Sequence, residues 1–534
     1  MAHALRLAEW RLQLVLRVNP SRREILTGTT AAAAAALLGC NRRKRDAATG
    51  MASPDASDVE IALRAVTDQV LLDSESARAT NVWRFEGTRS KGAADALTAG
   101  DGYLGPTIRV RSGQRVRVRF DNELGEPSIV HWHGLDVSAD NDGHPRYAIP
   151  GGASYQYDFQ VTNRPGMYWY HPHPAARTGA QVYAGLAGLF VVADDEESRA
   201  LPSGGYDLPL VLQDRLLDAD GQLVYAPDPM LGFLGDRILV NGRPTPTLEV
   251  RSGTYRLRLL NGSNSRIYKL AWSDGSPMIA IGSDGGLLEV PVRKPYVMLA
   301  PGERVELWAD FGRSPAGQPI WLESRSFDGT ATMGRGMMSG GMGRGMRGRM
   351  MGGRADLPNG SPFRVCAFHV KGSGERRELP AQLAPVRFRP EREVVNPDAP
   401  RRFEVSMRMM RWLLNGRSFH MTDVAPNERI RLGATEDWEF SNLGGMMAMA
   451  HPIHVHGGQF QVVERTVASW GRAAAETVSQ GLIDEGWKDT FLLMPGERVR
   501  IRVRFERHAG LFLYHCHNLE HEDMGMMRNF LVEA

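Results

Sequence analysis

The chain is 534 residues long, with 42% hydrophobic and 23% charged residues and a formal net charge of +3. That length leaves room for three or four domains, and the composition is that of a soluble globular protein. The small net charge, with no basic stripe carrying interleaved aromatics, excludes a nucleic-acid-binding role. Frequent Gly residues and short apolar/polar alternating runs point to an all-β architecture.

At the N-terminal end, Ser21-Arg22-Arg23-Glu24-Ile25-Leu26 resembles the twin-arginine export motif. The apolar run from Ile25 to Leu38 is too short to anchor stably across a bilayer. Leu37-Leu38-Gly39-Cys40 further resembles a lipoprotein cleavage box, which leaves two outcomes open. Either an acylated Cys40 attaches the protein to a membrane, or a non-lipid signal peptidase cuts nearby. Residues 1–57 are read as a twin-arginine signal and linker, placing the protein in the periplasm or cell envelope. Only Cys366 and Cys516 follow Cys40, so a mature chain whose Cys516 binds metal has no intramolecular disulfide. Cys366 reads as a buried small hydrophobe.

Internal repeats set the expected architecture. Pro106-Thr107-Ile108-Arg109-Val110-Arg111-Ser112-Gly113 returns as Pro246-Thr247-Leu248-Glu249-Val250-Arg251-Ser252-Gly253, each leading into an alternating strand. Asn241-Gly242-Arg243 returns as Asn415-Gly416-Arg417, and Pro-Gly-Glu-Arg-Val occurs at 301–305 and 495–499. Three related β-sandwich domains are expected, over 58–200, 201–372 and 373–534. The repeats also align histidines. Tyr170-His171-Pro172-His173 parallels Tyr514-His515-Cys516-His517, and His131-Trp132-His133-Gly134 parallels His454-Val455-His456-Gly457. No histidine lies between His173 and His369, so a metal cluster is expected between the first and third domains, with the second as spacer.

Ten of the fifteen histidines fall in four groups: His131/His133, His171/His173, His451/His454/His456 and His515/His517/His521. Imidazoles with a single thiolate and a thioether favour copper over zinc. A blue-copper site needs two His, one Cys and a weak axial Met. Cys516, His521 and Met526 supply all but one of these. Side chains alternate along a strand, so Cys516 is expected to face one way and His515 and His517 the other. One strand would then serve two metal centres.

With these residues in view, the chain after about residue 60 resembles the three-domain multicopper oxidases, the cupredoxin-fold family of laccases, bilirubin oxidases and bacterial copper-efflux oxidases. Four motifs carry the likeness: His131-Trp132-His133-Gly134, Tyr170-His171-Pro172-His173, His451-Pro452-Ile453-His454-Val455-His456-Gly457, and the run from His515 to Met527. The resemblance implies three consecutive cupredoxin-like Greek-key β-sandwich domains and four coppers per chain. His451, Cys516, His521 and axial Met526 would hold the Type 1 copper, and His131 and His454 the Type 2 copper. One Type 3 copper would take His133, His171 and His517, and the other His173, His456 and His515. Electrons would enter at Type 1 and pass through Cys516 to the cluster, where O2 is reduced to water. Asp142 and Glu522 resemble the family's acidic proton-relay residues, and His144 lies two residues from the first of them. A monomer is expected, with O2 and a small reducing donor as its partners.

For the donor, residues 333–354 form a Gly/Arg/Met tract with seven methionines and five arginines. It reads either as a disordered soluble loop or as a carrier of soft thioether ligands for Cu(I). Met337, Met338, Met342 and Met346 in the tract, and Met447 and Met449 beside His451, are candidate Cu(I) contacts. Copper-efflux oxidases carry Met-rich segments too, so Cu(I) oxidation for copper tolerance is the leading expectation. Laccase-like oxidation of phenols or aromatic amines is the alternative, and a copper-sequestering protein is a third. Departures from the efflux subgroup are the tract's place at the end of the second domain, Met447 where an acidic substrate ligand would stand, and the arginines' repulsion of a cation.

Overall fold

A computed structural model describes residues 57–72, 78–313, 318–328, 357–387, 390–409, 411–444 and 448–534. The export motif, Cys40, Met337, Met338, Met342, Met346 and Met447 lie outside the described residues.

Alternation builds the strands. In Arg115–Asn122, Val116, Val118 and Phe120 are buried, while the arginines between them face outward. The same period runs through Val59–Val70 and Arg401–Arg408. The strands assemble into six sheets that pack as three pairs, an all-β fold of cupredoxin-like sandwiches. The first pair spans Val59 to Ala193, the second Asp207 to Ser373 and the third Arg401 to Glu533. Each pair closes on its own apolar core: Val118, Phe120, Trp132 and Phe190; then Leu257, Leu270, Cys366 and Phe368; then Phe403, Trp438, Ile501 and Phe530. Cys366 is fully buried, and burial pushes its thiol up to about 12.

The sequence repeats are structural corners. Asn241-Gly242 and Asn415-Gly416 all have positive φ (50°, 73°, 53° and 67°), the requirement of a tight two-residue hairpin turn. Pro301-Gly302 and Pro495-Gly496 turn into the strands Arg304–Asp310 and Glu497–Arg504. Ile320–Ser324 and Phe363–Ser373, which flank the Met tract, are antiparallel neighbours with Leu322 opposite Cys366.

Two strand pairs position the histidines. Val130–His133 runs antiparallel to Gly166–Pro172 with His131 opposite His171. His451–Val455 runs antiparallel to Gly510–Cys516 with His454 opposite His515. Behind the second pair, Arg528 and Glu428 are both fully buried and joined at 2.6 Å and 2.8 Å, and the Tyr514 hydroxyl donates to the same carboxylate. Glu428→Gln removes the buried one of the two carboxylates that pair with Arg528, leaving only the partly exposed Asp423 at 2.9 Å, which costs about 3 kcal/mol. Urea unfolding should show the midpoint fall with little change in slope.

Candidate metal centres

Eight imidazoles converge where the first and third sandwiches meet: His131, His133, His171, His173, His454, His456, His515 and His517, each no more than 1% exposed. Hydrogen bonds set which ring nitrogen each one offers. His131 Nδ1 donates to the Asp142 carbonyl (2.6 Å), His171 Nδ1 to the Pro172 carbonyl (2.9 Å) and His454 Nδ1 to the Asp489 carbonyl (2.8 Å). His456 Nδ1 donates to Asp142 Oδ2 at 2.8 Å, and His515 Nδ1 lies 3.1 Å from Glu522 Oε2. These five rings therefore turn an unprotonated Nε2 inward.

Lone pairs then face one another. Nε2–Nε2 separations are 3.4 Å for His131–His454, 3.4 Å for His173–His515 and 3.0 Å for His456–His515. Between His131 and His454 and between His456 and His515, where both rings commit their proton to the far side, the facing lone pairs repel, and a shared cation relieves the repulsion. His171 Nε2 and both ring nitrogens of His517 are buried without a hydrogen-bond partner. His133 is turned the other way: its Nε2 meets Asp489 Oδ1 at 3.0 Å and Thr490 Oγ1 at 3.1 Å, leaving Nδ1 without a partner. Buried polar atoms left this way are costly unless something binds them. The residues fit a group of metal ions.

One expected set, His173, His456 and His515, is among the groupings of ligand atoms, while others cross the expected sets, as where His131 joins His133 and His171. The ligand atoms of His173, His456 and His515 lie within 4.8 Å of one another, as do those of His131, His454 and His456. The rings of His133, His171 and His517 approach to between 5.0 and 5.7 Å. Burial lowers the pKa of His131, His133, His171, His173, His454, His456 and His517 and favours their neutral form; His171 falls to about 3 and His173 to about 4. Neutral imidazole is the metal-binding form.

Besides Asp489 on His133, two more carboxylates touch the cluster. Asp142 is fully buried, and burial raises its pKa well above the ordinary value; its Oδ1 has no hydrogen-bond partner. Glu522 stands between His173 and His515, 3.5 Å from one and 3.1 Å from the other. Burial pushes it up, but those two rings with His517 outweigh burial and hold it below the usual carboxylate range. His144 does not join them: it is buried, with Nε2 on Asn529 Oδ1 at 2.9 Å and Nδ1 accepting from the Arg146 amide.

On the opposite face of the same strand, Cys516 Sγ lies 3.5 Å from His451 Nδ1 and 3.7 Å from His521 Nδ1. The turn that follows returns Met526 to them, its amide on the His521 carbonyl (2.9 Å) and its carbonyl on the Cys516 amide (3.1 Å). Burial pushes the Cys516 thiol up, so its thiolate forms only with a cation beside it. His521 Nε2 donates to the Met230 carbonyl at 3.0 Å, and Trp412 lies 4.6 Å from His451 and 5.5 Å from His521, ring to ring. Met449 is buried in the same core, 4% exposed.

Sequence reasoning missed Asp489, Thr490, Arg304, Trp412 and Met230. Arg304 stood inside a recognised repeat, Pro-Gly-Glu-Arg-Val, but was read only as the start of a strand. The others carry no spacing signal, because each reaches the centres from a separate part of the chain.

Models of the multicopper oxidase family match residues 82–197 and 394–534. The laccase of Bacillus subtilis is 31% identical over 490 residues, covering 80% of this chain and 88% of its own. The crystal structure of the McoA multicopper oxidase of Aquifex aeolicus is similar with a TM-score of 0.72 and 33% identity, covering 90% of this chain and 97% of that one. A multicopper oxidase from Campylobacter jejuni, described as a metallo-oxidase, is similar with a TM-score of 0.69 and 26% identity, covering 89% and 91%.

Cys516→Ser removes the only thiol beside His451 and His521 among the described residues and leaves all eight cluster imidazoles in place. Copper-loaded Cys516→Ser should lack the intense thiolate-to-copper absorption while metal analysis still finds copper bound to the histidine cluster.

Proposed function

The chain belongs to the multicopper oxidase family, oxidoreductases that use O2, and from that premise we propose that it oxidises Cu(I) at the Cys516 centre. Four coppers per chain complete the reading: one at His451, Cys516, His521 and Met526, and three among the eight clustered imidazoles. Copper, when bound, supplies the one-electron acceptor at the first centre and the electron store for reducing O2 to water at the second. His515 and His517 are covalent neighbours of Cys516, so one peptide segment joins the two sites.

The observation that carries the Cu(I) reading is the closed edge of His521. This ring is fully buried, and its outer nitrogen is held by a backbone carbonyl, that of Met230. A phenol loses a proton along with its electron, and the nearby carboxylates are already engaged. Glu520 accepts from the Tyr225 hydroxyl, the Asn264 amide, the Ser265 hydroxyl and the Phe233 N–H, and Asp523 from the N–H groups of Thr178 and Gly179. Cu(I) has no proton to lose. It also suits thioethers, and Met230, Met407 and Met524 pack half-buried against the same core. The likeness to a metallo-oxidase points the same way, while the likeness to a laccase favours the alternative donor, a phenol or aromatic amine. Export by the twin-arginine route, and a role for Met337, Met338, Met342, Met346, Met447 and Met449 in delivering Cu(I), belong to the same proposal.

Protons are supplied by two acids in opposite states. Burial favours the protonated form of Asp142, whose Oδ1 has no hydrogen-bond partner, and the rings of His173 and His515 favour the ionised form of Glu522. One donates and the other recovers a proton on either side of the cluster.

Steady-state O2 uptake with Cu(I) and with a phenol, with and without residues 333–354, tests the donor. Cu(I) should be consumed faster than the phenol, and the deletion should slow Cu(I) turnover only. Equal loss with both donors would remove the delivery role, and saturation without sustained O2 uptake would mean a sequestering protein. Asp142→Asn should lower O2 uptake about 100-fold with copper content unchanged, the size of a lost proton-transfer group.

A further inference from the structure

The middle sandwich supplies no cluster ligand, yet its Pro301–Arg304 turn lies directly against the cluster. Gly302 has φ +86°, and a Cβ built on it would stand 3.1 Å from both His133 Cε1 and His517 Cδ2. Two residues on, Arg304 is buried, and every one of its five guanidinium N–H groups is used. Nε donates to the Met167 carbonyl of the first sandwich at 3.2 Å. Nη1 donates to the Gly302 carbonyl at 2.9 Å and Nη2 to the Asp284 carbonyl at 3.0 Å, both within the middle sandwich. The remaining pair goes bidentate to Asp489 of the third sandwich, at 2.7 and 2.5 Å.

Asp489 in turn holds rings from both ligand-bearing sandwiches. Its Oδ1 meets His133 Nε2 at 3.0 Å, and its carbonyl accepts from His454 Nδ1 at 2.8 Å. Thr490 Oγ1, 3.0 Å from Asp489 Oδ1, lies 3.1 Å from each of the same two ring nitrogens. Asp489 is thus the contact that reverses His133 relative to the other rings. Its own position depends on a fork that only a planar, five-donor cation can make.

We propose that Arg304 is a positioning residue for the histidine cluster, acting through Asp489 on His133 and His454. The middle sandwich is then a working part of the oxygen-reducing site and not a spacer. The Cys516 centre, which Arg304 does not touch, is outside its reach. The inference rests on the cluster holding metal and is independent of which donor is oxidised.

The test compares Arg304→Lys, Arg304→Met and Asp489→Asn with Arg256→Lys in the full copper-loaded chain. Arg256 is an equally buried arginine of the same sandwich, bonded to Glu306 and Glu197 instead. Loss of such an outer contact costs about 10- to 100-fold in metal affinity or activity. The three cluster variants should therefore lose copper affinity and O2 uptake by at least about tenfold, and the electron paramagnetic resonance of the cluster copper should change. Their thiolate-to-copper absorption per chain should match the parent, and lysine should retain more than methionine. Unchanged cluster copper and resonance in Arg304→Met and Asp489→Asn would overturn the proposal. So would an equal loss in Arg256→Lys, or a fall in the thiolate absorption in step with the cluster. A parent chain that takes up no cluster copper would instead refute the copper reading itself.

Discussion

Imidazole lone pairs pressed together inside a dry interface are the constraint on which the rest of the molecule depends. His456 and His515 face each other at 3.0 Å, each with its proton committed to the far side of the ring. Such contacts are repulsive until a cation enters, and burial disfavours protonation of His456. The protein must therefore hold the rings in place by force from outside. That force comes from the Asp142, Pro172 and Asp489 carbonyls, from the carboxylates of Asp142, Asp489 and Glu522, and from three cores packed behind the strands. Stability is spent to keep a site that only metal completes.

The same logic explains the difference between the two centres. At Cys516 two neighbouring strands, one short helix and a returning turn gather the ligands within one sandwich. The eight-imidazole group needs two sandwiches, and three of its rings, His131, His171 and His454, are held by backbone carbonyls. A backbone acceptor cannot swing away, so ring orientation is inherited from the fold itself. Where a side chain is used, at Asp489, another group must lock that side chain.

Much of this was legible in the sequence, because strand geometry converts spacing directly into direction. His515, Cys516 and His517 could be assigned to opposite faces from the alternation alone, and the structure places them so. The repeats located the three sandwiches, since hairpin turns such as Asn241-Gly242 impose the same residue choice wherever they recur. What stayed hidden were contacts with no local pattern. Asp489 and Arg304 are 185 residues apart, and each is unremarkable in its own segment. The Met230 carbonyl is a backbone atom, which no residue identity announces. Asp142 was legible only through the motif resemblance, and its burial against His456 is what the structure adds.

The two ligand-bearing strand pairs carry a consequence for how the molecule is made. His131 and His454 are separated by 323 residues, and His133 and Asp489 by 356. Closing loops of that length is slow, and no shorter piece of chain contains a cluster. A nascent polypeptide whose first sandwich has folded holds His131, His133, His171 and His173 without their partners: a half-site with the wrong number of donors. Ordered metal loading must follow completion of the third sandwich, so biosynthesis of this enzyme has a required sequence, polypeptide first and metal last.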